Sequence, residues 1–281
     1  MPIEYLPGLK PGDKIDLSQF DNKKKSESRP EYYLYPIQEA LRELAQRSEY
    51  RGLVNDAGQI IMSGPEAEFD NQNIKLNEEA WAKEEGQTWE EWTIRKESDP
   101  ASLAEKGITL LFDRILRGKF AVLRASDYDD YENGADNIII DRETGAVICG
   151  IDDVFGDESD DGGKRKAGKV DKIKRKMAKG GARIKYGATI KNDQLVPQEL
   201  ENVPLFYFSL SKKELSDLLH SISEYNKPTE IENQIYQKLV GSLSEQYGHF
   251  AADKSLDKRL RANLNDFAPS LAKMKAEIEE A

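Results

Sequence analysis

The stretch "GADNIIIDRETGAVICGIDDV", residues 134–154, reads as two strands about the turn "DRETG", with Asp136 near the start of the first and Asp152 and Asp153 at the end of the second. Side chains alternate along a strand, so Asp136, Ile138 and Ile140 share one face of the first, and Ala146, Ile148, Gly150 and Asp152 share one face of the second. If the turn pairs Ile140 with Ala146, the two faces coincide, and Asp136 opposes Gly150 with Asp152 on the diagonal. A register different by one residue brings Asp153 to that face instead. Gly150, lacking a side chain beside two acids, leaves room for a metal or a substrate backbone.

Carboxylates held this close repel each other unless a proton or a cation intervenes. Mg²⁺ suits such a pair, because it takes oxygen ligands, uses one or two carboxylates and keeps positions for water and phosphate. Asp136 and Asp152 are therefore candidate ligands for Mg²⁺ or Mn²⁺, as one ion or two. The alternative is that Asp136 merely opens a strand and Asp152 and Asp153 close one as a solvated loop.

The rest of the chain narrows the chemistry. Of 281 residues, 38% are hydrophobic and 33% charged, enough for one core of moderate size with polar appendages. No apolar run is long enough to span a bilayer, and the N-terminus lacks the basic start and apolar middle of a signal peptide, so a soluble, cytoplasmic protein is expected. The single cysteine, Cys149, lies in an apolar strand and reads as a buried thiol. Two histidines, His220 and His249, argue against zinc and against Ser-His-Asp chemistry. A net charge of -11 argues against uniform coating of nucleic acid. Residues 164–191, however, hold twelve Lys or Arg against the single acid Asp171, a local patch able to bind a phosphate backbone.

Four regions are expected: a flexible arm over 1–30, a helical region or insertion over 31–98, an α/β core over 99–225, and a helical tail over 226–281. In the core, Asp99 caps a helix that has Pro100 in its first turn and Gly118 after its last. "FAVLRAS" reads as a strand, followed by the hairpin, an acidic glycine-rich loop, the basic helix "KVDKIKRKMAK", and the strands "ARIKYGATI" and "VPLFYFSL". A helix with a capping box of Ser211 and Glu214 closes the unit. This order predicts an α/β fold with a central mixed sheet flanked by helices.

That order, with the pattern "AD-N-III...GAVICGIDD", resembles the PD-(D/E)XK nuclease superfamily over residues 99 to about 210. In that superfamily a helix bearing a Glu precedes three strands that carry an Asp and then an acid-x-Lys, and a helix and a fourth strand follow. The resemblance implies a restriction-endonuclease-like core that hydrolyses DNA or RNA with Mg²⁺. Ala135-Asp136 takes the place of the Pro-Asp, and Asp152 or Asp153 that of the second acid. Glu105 becomes the helical Glu, since Glu105, Ile108, Phe112 and Ile115 fall on one helix face. The acid-x-Lys reads Asp152-Asp153-Val154, so its lysine is missing. The basic helix can replace it, because Lys169 and Lys176 flank the apolar stripe of Val170, Ile173 and Met177; Lys185 on the next strand is another candidate.

Lys172, Lys176, Arg183 and Lys185 are the expected contacts to a phosphate backbone, with Tyr186 available to stack on a base. Trp81, Trp89 and Trp92 read as packing or as contacts of the acidic N-terminal region with a protein partner. Two other readings stand beside hydrolysis. One is a non-catalytic interaction protein on a degenerate nuclease-like fold. The other rests on a likeness of residues 136–156 to aminoglycoside phosphotransferase-like kinases, in which Asn137 and Asp152 would hold Mg²⁺; there the catalytic Asp position is Glu132, and no Gly-rich phosphate loop lies upstream.

Overall fold

Asp99 accepts a hydrogen bond from Ala101 N at 2.8 Å and Pro100 occupies the first turn, so helix α4 (Pro100–Leu116) begins where its capping residue and its proline place it. The computed structural model describes residues 31–156, 161–225 and 227–280; the expected arm over 1–30 and part of the acidic loop lie outside them. Ahead of α4 come α1 (Glu31–Ala45), α2 (Ala67–Glu84) and α3 (Trp89–Ser98). After it come β1 (Phe120–Arg124), a one-turn π-helix over Asp129–Asn133, β2 (Asn137–Asp141) and β3 (Val147–Phe155). Then follow α5 (Asp161–Ala178), β4 (Ala182–Lys191), β5 (Gln194–Val203), β6 (Leu205–Leu210), α6 (Lys212–Glu224), α7 (Glu230–Ala252) and α8 (Lys258–Glu280). The protein is a mixed α/β structure. Among the described residues no helix is long and apolar enough to cross a membrane.

The principal sheet has the order β1-β2-β3-β6, antiparallel except for the parallel pair β3 and β6. β2 and β3 are buried almost throughout, as strands covered on both faces are. α4 lies against β1 and β3, and α5 lies against β3 and β6. A single cluster of buried side chains runs from Ile37 and Leu41 of α1, through Phe112, Ile139 and Phe206, to Phe267 and Met274 of α8. Cys149 is fully buried within it.

The structure sets the register that the sequence leaves open, and two expectations about the sheet are corrected. The hairpin carries a bulge between Ile139 and Ile140, so Ile140 pairs with Val147 rather than Ala146, and Asn137 stands opposite Ile151 rather than Cys149. "ARIKYGATI", expected in the central sheet, forms β4 of a separate two-stranded sheet with β5. β5 was not anticipated, because Pro197 lies inside it and edge prolines hide strands. The turn Asn192-Asp193, with both φ values positive (52° and 58°), is the hairpin signal that marks it. Gly150, finally, is not open space: a Cβ there would lie 3.1 Å from Leu205 Cδ1 and 3.5 Å from Ala135 Cβ, so this glycine serves close packing.

The hairpin turn is tied to the second sheet. Gly145 O accepts hydrogen bonds from Ile190 N and Thr189 Oγ1, and Gly145 has φ +70° with Ile190 O where a side chain would start. Replacing Gly145 with Ala combines a strained backbone with a steric overlap and should cost about 1–3 kcal/mol. Gly118→Ala, at a position with nothing within 4 Å, should be near neutral. Urea denaturation of both variants checks this; equal stability would contradict the packing described.

Candidate metal and phosphate site

Successive side chains of β3 point to opposite faces, which separates the two acids at its end. Asp152 turns towards α5, where its Oδ1 is ion-paired with Lys169 Nζ. Lys169 also donates to the carbonyl of Asp153 and lies 3.8 Å from Asp136 Oδ2. Burial alone would weaken the Lys169 ammonium, but the carboxylates of Asp136 and Asp152 outweigh it and raise its pKa. Asp153 turns towards α4. Its Oδ2 accepts from Asn137 Nδ2 at 2.8 Å, and Asn137 Oδ1 in turn accepts from Thr109 Oγ1 of α4 at 2.6 Å. Asp153 Oδ1 is buried with no hydrogen-bond partner.

Asp136 sits just before β2, where its Oδ2 accepts from the backbone N–H of Asp153. One oxygen from each of Glu105, Asp130 and Asp136 lies within 4.8 Å of the others. Glu105 projects from α4 and is held by Arg124 at 3.2 Å. Asp130 comes from the π-helical turn, an element that recurs at functional sites. Burial raises the pKa of all three and of Asp153; Asp130 and Glu105 raise Asp136 further, and Glu105 raises Asp153. Three converging carboxylate oxygens, mutually repulsive when all are charged, are ligands of the type a hard divalent cation takes. These residues fit Mg²⁺ or Mn²⁺.

The carboxylates that converge are not the expected pair of Asp136 and Asp152. Asp136 belongs to the convergent group, whereas Asp152 faces Lys169. Asp130 was missed, although the run "DYDDYENG" directly ahead of Asp136 is a signal that could have pointed to it.

The basic residues divide. Lys169, Lys172 and Lys176 occupy one face of α5, around the buried Ile173 and Met177. A Cβ at Gly134 would lie 2.8 Å from Lys172 Nζ and 3.5 Å from Asp152 Oδ2, so Lys172 borders the site. Lys176 donates to the carbonyls of Asn133 and Glu132 at the end of the π-helical turn, and burial together with Lys172 pulls its pKa down to about 8. Arg183 is paired with Glu199, and Lys185 with Asp70 and Glu66, so neither amine is directed at the acids. Tyr186 is buried, with its hydroxyl on Asp70, and is not free to stack on a base. Asn137, the Mg²⁺ ligand in the kinase-like reading, is fully buried, with its amide oxygen on Thr109 and its amide nitrogen on Asp153. The tryptophans pack: Trp81 meets Trp92 and Tyr131, and Trp89 donates to Glu78. No protein-family model matches the chain, and neither a curated protein nor a solved structure does.

Because Asp136 and Asp153 bind protons more readily folded than unfolded, their contribution to stability is complete below the ordinary carboxylate pKa of 3.8 and is lost as pH rises towards the raised folded values. In EDTA, Asp136→Asn should therefore melt higher than the parent at pH 8, with a gain of about 2–4 °C for each kcal/mol of repulsion removed, and lose less stability between pH 5 and 8. Mg²⁺ should stabilise the parent more than the variant. A variant that melts lower at pH 8 would contradict the electrostatic description.

Proposed function

We propose that this chain is a metal-dependent phosphodiesterase acting on nucleic acid, built on a core of the PD-(D/E)XK kind. The observation that carries the reading is Lys169: an amine supplied from helix α5 sits against Asp152 and Asp136, where the strand motif lacks its own lysine. The element order supports it. A helix bearing Glu105 precedes the antiparallel strands β1 to β3, α5 follows, and β6 adds parallel to β3. On this reading β6 takes the place of the fourth strand, with the β4–β5 hairpin inserted ahead of it.

Each residue then has a physical role. Glu105, Asp130 and Asp136 would hold Mg²⁺ or Mn²⁺, which when bound polarises a phosphoryl oxygen and lowers the pKa of an attacking water. Lys169 is kept charged by its carboxylates, so at neutral pH it acts as a hydrogen-bond donor and not as a base. It orients the attacking water or a phosphate oxygen, and Asp152 fixes the direction of its amine. Asp153, anchored by Asn137 and with Oδ1 unpartnered, would accept the proton that water releases. Water adds to phosphorus, the bond to the leaving sugar oxygen breaks, and that oxygen takes up a proton. Lys172 at the rim meets the backbone charge. A protein partner is a second, compatible reading, favoured by the exposed Phe69 and Leu76 of α2 and Ile94 of α3.

Single-turnover cleavage of labelled DNA and RNA by the Lys169→Met variant should fall by about 10²-fold or more, the usual cost of losing one charged donor at a reacting centre. Substrate affinity measured without metal should change little, and Lys169→Arg should recover part of the rate. Unchanged cleavage by Lys169→Met would remove the basis of this proposal.

A further inference from the structure

Apart from the carboxylate cluster there is a second basic surface, near the turn that ends α5. A groove of about 430 Å³ between the end of α7 and the start of α8 is lined by Ala251, Lys258, Arg261, Ala262, Leu264 and Asn265. Lys258, Arg261 and Asn265 fall at i, i+3 and i+7, so they form one face of α8, and all three are exposed. Among the described residues neither Lys258 nor Arg261 takes part in an ion pair, in contrast to Lys169, Arg183 and Lys185. The nearby acids are committed to local turns. Asp257 caps α8 through the backbone N–H groups of Arg259 and Leu260, and Asp253 accepts from Ser255.

The groove adjoins the C-terminal end of α5. The start of α8 packs on the glycine turn that ends α5: a Cβ at Gly180 would lie 3.8 Å from Asp257 Cβ, and one at Gly181 would lie 3.0 Å from Leu260 Cδ1. Along α5, Lys169, Lys172, Lys176 and Lys179 repeat at i, i+3, i+7 and i+10 on one face and lead from the carboxylates to that turn. From Lys169 to the end of α5 is nine residues, about 14 Å at the helical rise. That length matches about four phosphate intervals of one strand.

We propose that the α7–α8 groove is a distal phosphate-binding subsite, where Lys258 and Arg261 engage the nucleic-acid backbone about four or more nucleotides from the scissile phosphate. The inference rests on the phosphodiesterase reading and adds a length requirement to it. A substrate too short to reach the groove loses these contacts but still meets the carboxylates and Lys169.

The test uses the full chain and its Lys258→Glu/Arg261→Glu double variant, with melting temperatures compared to confirm folding. Fluorescence anisotropy measures binding of single- and double-stranded DNA and RNA of about 6 and about 20 nucleotides over a range of NaCl, in EDTA and again with Ca²⁺. The double variant should bind the longer probe about tenfold or more weakly, with a salt slope smaller by about 2, one for each lost phosphate contact. Its affinity for the shorter probe should be unchanged. If the variant binds both probes as the parent does while the parent still cleaves with Mg²⁺, the groove is not a subsite and the phosphodiesterase reading survives. An equal loss for both probe lengths also overturns the distal placement. A parent that neither binds nor cleaves any of these nucleic acids overturns both proposals. Lys258→Ala/Arg261→Ala, which removes charge without reversing it, should give a smaller loss in the same direction.

Discussion

The surroundings of the hairpin depend on one constraint, the crowding of Glu105, Asp130, Asp136, Asp152 and Asp153 at its end, with Lys169 and Arg124 paired among them. Taking carboxylates out of water and placing them beside one another is costly unless protons, cations or donors compensate. Each neighbouring element supplies part of the compensation. α4 brings Thr109 to orient Asn137, which in turn donates to Asp153. α5 brings Lys169 to Asp152 and Lys176 to the carbonyls that end the π-helical turn. β1 brings Arg124 to Glu105. What remains is excess negative charge, the condition in which a divalent cation is bound strongly.

The π-helical turn that carries Asp130 is itself held from outside the core. Asp129 within it is fully buried and accepts from Ser126, Asn133 and the backbone N–H groups of Lys185 and Tyr186, which joins the turn to β4. Tyr131 donates to Glu78 of α2 at 2.7 Å, and Lys96 of α3 bonds both. The segments before α4, which look like an appendage in the sequence, and the β4–β5 hairpin therefore brace the loop on which one of the candidate ligands sits.

Much of this was legible in the residues. The cap and proline of α4, the capping box of Ser211 and Glu214, the apolar hairpin and the stripe of the basic helix are local signals, and local signals survive folding. Lys169 could be named as a candidate because helical spacing placed it beside Ile173 and Met177, but choosing it over Lys176 and Lys185 required the fold. The register was not legible, since a single bulged residue in the hairpin moves the pairing without altering its apolar pattern. Asp130 escaped because its position depends on a π-helical turn, a geometry with no hydrophobic period of its own. Lys185 and Tyr186 looked available for a ligand and were not, because their partner Asp70 is 115 residues away from Lys185 in sequence.

The lysine's route to the site is the feature on which the functional account turns. An amine on β3 would be fixed by the strand; an amine on α5 is fixed by Asp152, and its charge is maintained by the same carboxylates it serves. The most direct measurement is incubation of the purified chain with end-labelled single- and double-stranded DNA and RNA, in Mg²⁺, in Mn²⁺ and in EDTA, with the fragments resolved by length. The account predicts fragments from at least one substrate with either metal and none in EDTA. Folded protein that leaves every substrate intact in both metals would contradict it.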